Sequence, residues 1–154
     1  MSGNPGAEAA AAVRARSVRV GTVRVDSRSH GYLAEGQTSL SPDAANPSSL
    51  DYLLGALASD LILGLEREAK RAGARLDAIE TSLSARLENP LVALGVIGEQ
   101  GSAKIASIRG SVYVSGDVAE LALRECWERA LRTAPVYATL SECVAVDVAM
   151  QIIL

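Results

Sequence analysis

Between Ser48 and Gly73 the chain repeats leucine at helical intervals, Leu50, Leu53, Leu54, Leu57, Leu61 and Leu65, followed by Ala69. Steps of three and four residues put these side chains on one face of an α-helix, and that face must be buried against other elements. Ser48 is a residue type that caps helix N-termini, and Asp51 three positions later can reach back as in a capping box. Glu66, Arg67, Glu68, Lys70 and Arg71 crowd the final turns until Gly73 ends them. The pattern predicts a helix of roughly six turns. One residue breaks the stripe. Asp60 lies three residues after Leu57 and seven after Leu53, so it shares the apolar face, where an ionised carboxylate is costly unless paired. It is expected to accept hydrogen bonds, or to meet an arginine, at a partly wet subunit seam.

The flanking segments read as strands. Val18, Val20, Val23 and Val25 alternate with polar residues, but their parity switches at Gly21-Thr22, which calls for one bent strand or two short ones. Ser27 to Gly31 is a polar connection, and Tyr32 to Leu40 is expected to return as another short strand. After the helix, Ile79, Thr81, Leu83, Ala85 and Leu87 alternate with polar residues, as do Ala106, Ile108, Gly110, Val112 and Val114. Two strands with one wet face each are predicted, paired antiparallel. Between them Pro90 to Leu94 is too apolar for an ordinary loop and is expected to be an extra strand or to touch a partner. Asp117 with Glu120 predicts a capped second helix carrying Leu123, Cys126, Trp127, Ala130 and Leu131 inward, with Pro135 stopping it. Cys143 to Leu154 alternates as a terminal strand. Met1 to about residue 14 is expected to be a flexible lead and residues 15–154 a single α+β domain, its helices interspersed among mainly antiparallel strands.

Composition removes several function classes. The 154 residues carry 18 acidic and 15 basic side chains and no polybasic block, which speaks against a nucleic-acid groove or an anionic membrane patch. Asp60 and Asp147 interrupt the two most apolar stretches, so no membrane span is expected. Met1 to Val13 has no positive n-region, and a cytoplasmic location is expected. Two cysteines without close spacing and a single histidine indicate neither a disulfide framework nor a metal site, and no cofactor is called for. There are 26 alanines and no phenylalanine; a core of small side chains buries less area per residue, so part of the apolar inventory is expected at a subunit interface.

Asn46-Pro47 followed by Leu50-Asp51-Tyr52-Leu53-Leu54-Gly55-Ala56-Leu57-Ala58-Ser59-Asp60 resembles the central-helix motif of the OsmC/Ohr family, which reads approximately N-P, a short step, then D/E-x-L-L-A-A-L-G-S-C. The family's second motif, C-P-V-x-x-T-L, is matched by Ala134-Pro135-Val136-Tyr137-Ala138-Thr139-Leu140. The two motifs occur in the family's order, each on a predicted helix, and the resemblance runs from about Val18 to Leu154. It implies an OsmC-like fold, antiparallel sheets wrapped around central helices in an intertwined homodimer, with active sites at the subunit boundary. Members with intact motifs reduce organic hydroperoxides: the helix cysteine attacks the peroxide, the second cysteine closes a disulfide, and an external dithiol resets the pair. An arginine from the early strands and a carboxylate near the helix start assist.

This sequence departs from the family at both sulfur positions. Asp60 stands at the peroxidatic position and Ala134 at the resolving one. A thiolate can be oxidised to a sulfenic acid that a second thiol condenses with; a carboxylate and a methyl group can do neither. Thiol peroxidase chemistry is therefore expected to be lost while the fold persists, and the interfacial pocket is expected to bind a small, partly apolar molecule. Its candidate residues are Arg28, Asp51, Asp60, Pro135 and Tyr137, with Arg24 as an alternative to Arg28. Asp51, nine residues before Asp60, falls on the opposite helix face and reads first as a cap. His30 reads as a solvated loop residue. The competing expectation keeps hydroperoxide reduction through Cys126 or Cys143, although Cys126 reads as inert packing, Cys143 opens the last strand, and no local positive charge is apparent beside either.

Overall fold

The computed structural model describes residues 12–19, 22–27, 30–35 and 47–153. It divides into two compact units, Met1–Ser49 and Leu50–Leu154. The first contains an antiparallel meander, β1 (Arg14–Arg19), β2 (Thr22–Ser27) and β3 (His30–Glu35), in spatial order β1-β2-β3. The valine parity switch therefore separates two short strands, and the pairing register also slips between Ser17 and Arg19. Residues 1–11 of the expected lead, and the part of the third strand beyond Glu35, lie outside the described residues.

In the second unit α1 (Ser49–Arg71) runs for 23 residues, with Asp51 in its first turn and Lys70 and Arg71 in its last. The helix stops where expected. Gly73 adopts φ 69°, a left-handed conformation that glycine enters without steric cost. The Ala74 amide then donates to the Ala69 carbonyl at 2.9 Å and the Gly73 amide to that of Lys70 at 3.1 Å, closing a Schellman cap.

The sheet of this unit is ordered β4-β5-β6. Strand β4 (Arg75–Leu87) pairs antiparallel with β5 (Ile105–Asp117), and β5 pairs parallel with β6 (Ala145–Ile152). Leu57, Leu61 and Leu65 of α1 meet Ile108, Val112 and Val114 of β5, and α3 (Glu120–Thr133) adds Leu123, Cys126, Trp127 and Ala130. At Gly64 a β-carbon would stand 3.6 Å from that of Ala130, an ordinary van der Waals distance, so α1 and α3 run close beside each other at this point.

Five expectations are corrected. The second sheet is not antiparallel throughout, because β6 joins β5 in parallel. Pro90–Ala93 is not an extra strand but a single helical turn, α2, whose N-cap Asn89 accepts a hydrogen bond from the Leu91 amide. Asp117 does not cap α3: it ends β5 opposite Arg75, the N-cap is Ala119, which has no side-chain cap bond, and Glu120 instead pairs with Arg124 at 2.7 Å. Pro135 ends one helix and opens another, α4 (Pro135–Cys143), so the second motif sits on a helix of its own. Cys143 consequently closes α4 and does not begin the last strand. Among the described residues no helix is long and apolar enough to cross a membrane.

Candidate functional site

The centre of the site is the meeting of α1 with the start of α4. The first amides of a helix have no intrahelical acceptor, and an N-cap side chain normally takes those of the second and third positions. In α4 the N-cap is Ala134, which offers no oxygen, and Pro135 at the first position has no N–H to satisfy. Half-buried Asp60 supplies what is missing: its Oδ2 accepts hydrogen bonds from the Val136 amide at 2.8 Å and the Tyr137 amide at 3.1 Å. The carboxylate also lies at the positive end of the helix dipole, where negative charge is favoured. Asp60 therefore does find donors, as its place on the apolar face required. Ala134 is only 1% exposed, and its own amide donates to Ala130 at 2.9 Å.

Asp60, Ala134, Pro135 and the backbone of Tyr137 are thus assembled in one place, and the Tyr137 side chain packs, partly buried, against the hydrophobic core. Asp51 is exposed in the first turn of α1 and is not gathered with them. Arg28 lies outside the described residues. Arg24 forms an ion pair with Asp26 at 2.9 Å, which passes over Gly31 where a β-carbon would collide with both side chains. His30 opens β3 opposite Ser27 and is exposed.

Both cysteines are free thiols, Cys126 buried and Cys143 exposed. The inward placing of Cys126 holds. The expectation of no nearby positive charge does not, because Arg129, one turn further along α3, donates to the Cys126 sulfur at 3.4 Å. That guanidinium is already engaged with Glu68 at 3.4 Å.

Glu68 is the residue that sequence reasoning passed over. It is 4% exposed, and its carboxylate is approached by Arg71 at 3.2 Å and Arg67 at 3.8 Å besides Arg129. Arg67 also donates to Thr133 at 3.1 Å, so this cluster ties the last turns of α1 to α3. The signal was present: Glu68 follows Leu61 by seven residues and Leu65 by three, on the same stripe as Asp60's neighbours.

A hollow of about 470 Å³ opens at the other end of α1, between Ala69 and Lys70 and the start of β4 at Leu76 and Ile79. Among the described residues, none of the candidates Asp51, Asp60, Pro135 and Tyr137 lines it. Among the described residues no group of three potential metal-ligating side chains occurs.

Residues 41–149 match the profile of a family described as OsmC-like protein. No curated protein matches the chain significantly. Several solved structures share its fold. An OsmC-like protein from Mycoplasma pneumoniae is 13% identical, with 94% of this chain and 97% of that one covered at a TM-score of 0.78. An organic hydroperoxide resistance protein, OsmC, from Legionella pneumophila is 9% identical over 94% and 99% at 0.65. The organic hydroperoxide resistance protein OhrB of Bacillus subtilis is 17% identical over 92% and 97% at 0.58. At such identities the likeness is one of fold.

Proposed function

The chain belongs to the OsmC-like protein family, and from that premise we propose that it is a cytoplasmic homodimer that has given up thiol peroxidase chemistry and binds a small, partly apolar molecule at its subunit interface. The observation carrying this reading is the pair of hydrogen bonds from the Val136 and Tyr137 amides to Asp60 Oδ2. They bring together the two positions where the resembled motifs carry cysteine, and the occupant of the first has become a helix cap. Neither the acid nor Ala134 can store an oxidising equivalent as sulfur does. The carboxylate's other oxygen has no partner among the described residues and is the polar atom a ligand would meet.

Dimer formation is supported by apolar area that one chain leaves uncovered, Leu63 at 61% exposure on α1 and Leu121 at 71% on α3. In this reading the meander and the Leu50–Leu154 unit serve one domain, and the two copies wrap around their long helices.

The test is dithiol-dependent consumption of an organic hydroperoxide. The wild-type protein should show no turnover above the dithiol background, and Asp60→Cys with Ala134→Cys should acquire it. Wild-type turnover abolished by Cys126→Ser or Cys143→Ser would replace this reading with a relocated thiol peroxidase. Native mass spectrometry should find a dimer that retains a small molecule; a monomer, or a dimer that never retains one, would overturn the binding role.

A further inference from the structure

The sheet face turned away from the helices carries a group of residues with no part in the site above. On β4 and β5 the apolar side chains face the core, so Ser82, Ser84 and Arg86, with Ser107, Arg109, Ser111 and Tyr113, share the opposite face. The register places Arg86 directly opposite Ser107 and Ser84 directly opposite Arg109. Two guanidinium groups and two hydroxyls therefore occupy the corners of a four-residue square, with the arginines on its diagonal, ~7–8 Å apart at the backbone. Both arginines are exposed, and among the described residues neither forms an ion pair. Like charges at this spacing repel, and an anion between them would reverse the sign of the interaction.

The surface is hollowed on both sides of Arg109. A depression of about 310 Å³ is lined by Ser84, Arg86, Ser107 and Arg109. A second, of about 170 Å³, shares Ser84 and Arg109 and extends over Ser82 and Ser111 to Tyr113. The floor of the second is small side chains, and Gln151 donates to Ser111 at 3.2 Å along its edge. The first hollow thus has the charge and donors for a tetrahedral oxyanion, since guanidinium groups match its oxygens pairwise. The second has room and an aromatic ring for an organic substituent. Asp147 pairs in register with Arg109 from the β6 side and opposes anions there, which confines the site to the β4–β5 half.

We propose that this face binds a small phosphate monoester, with its phosphate between Arg86 and Arg109 and its organic group lying toward Tyr113. The site is independent of Asp60 and of the family chemistry. Amide chemical shifts of the full-length protein, titrated with phenyl phosphate, inorganic phosphate and phenol, test it. Both phosphates should give saturable shifts at Ser84, Ser107 and Arg109. Only phenyl phosphate should also move Ser111 and Tyr113, and phenol should move nothing. Arg86→Gln and Arg109→Gln should each weaken phenyl phosphate by about tenfold, whereas Asp147→Asn should tighten it by roughly twofold to threefold. All three replace exposed side chains, and should one variant fail to fold, the other two carry the comparison. Several results would overturn the assignment: shifts that do not saturate, binding indifferent to both arginines, or inorganic phosphate binding as tightly as the ester. Tighter binding to phosphatidate vesicles than to phenyl phosphate would also overturn it, giving the surface to a lipid headgroup instead.

Discussion

Replacing Asp60 by alanine should loosen α4 by a calculable amount. The substitution removes both hydrogen bonds to Oδ2. Loss of an N-cap acceptor typically costs about 1 kcal/mol, and loss of the charge at the helix dipole a further ~0.3–1 kcal/mol. Asp60 is half-buried, so water reaches part of the vacated space and keeps the cost below that of fully orphaned donors, ~1–3 kcal/mol each. The expected destabilisation is about 1.5 kcal/mol. In urea this moves the unfolding midpoint down by roughly 0.5–1 M, measured at fixed protomer concentration so that association does not enter the comparison. Ala134 provides an internal control. Its backbone, φ −81° and ψ 109°, is already that of an N-cap residue, so Ala134→Ser can supply a local acceptor for the same amides. In the Asp60→Ala background it should recover about 1 kcal/mol, while beside an intact Asp60 it should change stability by only a few tenths. The double-mutant cycle therefore yields a coupling of roughly 1 kcal/mol. A change below ~0.3 kcal/mol for Asp60→Ala, or equal stabilisation by serine in both backgrounds, would refute the capping account.

Glu68→Ala should cost about 1–3 kcal/mol, less than a fully buried pair because Arg71 and Arg129 can swing to solvent; chemical denaturation reads the loss. Unchanged stability would mean the arginines do not hold that carboxylate. Gly73→Ala should cost about 1 kcal/mol in the same assay through its positive φ. Asn89 bonds the Leu91 amide and also donates to Glu99 and Gln100, so Asn89→Ala should accelerate amide exchange across residues 90–98 while leaving β4 and β5 protected. Acceleration spread over the whole sheet would show that this turn supports more than itself.

How far the sequence could be read depended on whether the deciding contact was local. The α1 helix was legible from end to end because its leucine spacing, first-turn acid and terminal glycine all fall within one stretch and agree. The α4 helix was not: its acceptor is 76 residues away from the first amide it serves, and no window along the chain reveals that pairing. Only Pro135, suited to a first helical position, hinted at a new start. Asp117 misled for the opposite reason. Its local pattern is that of a cap, but pairing with Arg75 extends the β-ladder through it, and a cross-strand partner prevailed over the signature. The direction of β6 was equally invisible, since side-chain alternation is the same for parallel and antiparallel neighbours. Glu68 was legible in principle from helical phase, and the surrounding run of charges concealed it.

The same distinction separates what the fold requires at position 60 from what peroxide chemistry requires there. Holding α4 against α1 calls for an acceptor within reach of two amides, a demand that a carboxylate meets better than sulfur does because its hydrogen bonds are charge-assisted. Turnover calls for a nucleophile that can be oxidised and regenerated. Installing Asp60→Cys and Ala134→Cys should therefore move the two properties in opposite directions: activity appears while thermal stability of the reduced protein falls, by an amount close to that of Asp60→Ala. A reduced double-cysteine protein as stable as wild type would show that the amides of Val136 and Tyr137 do not depend on the acid, and the account of why the chain carries an aspartate there would fail with it.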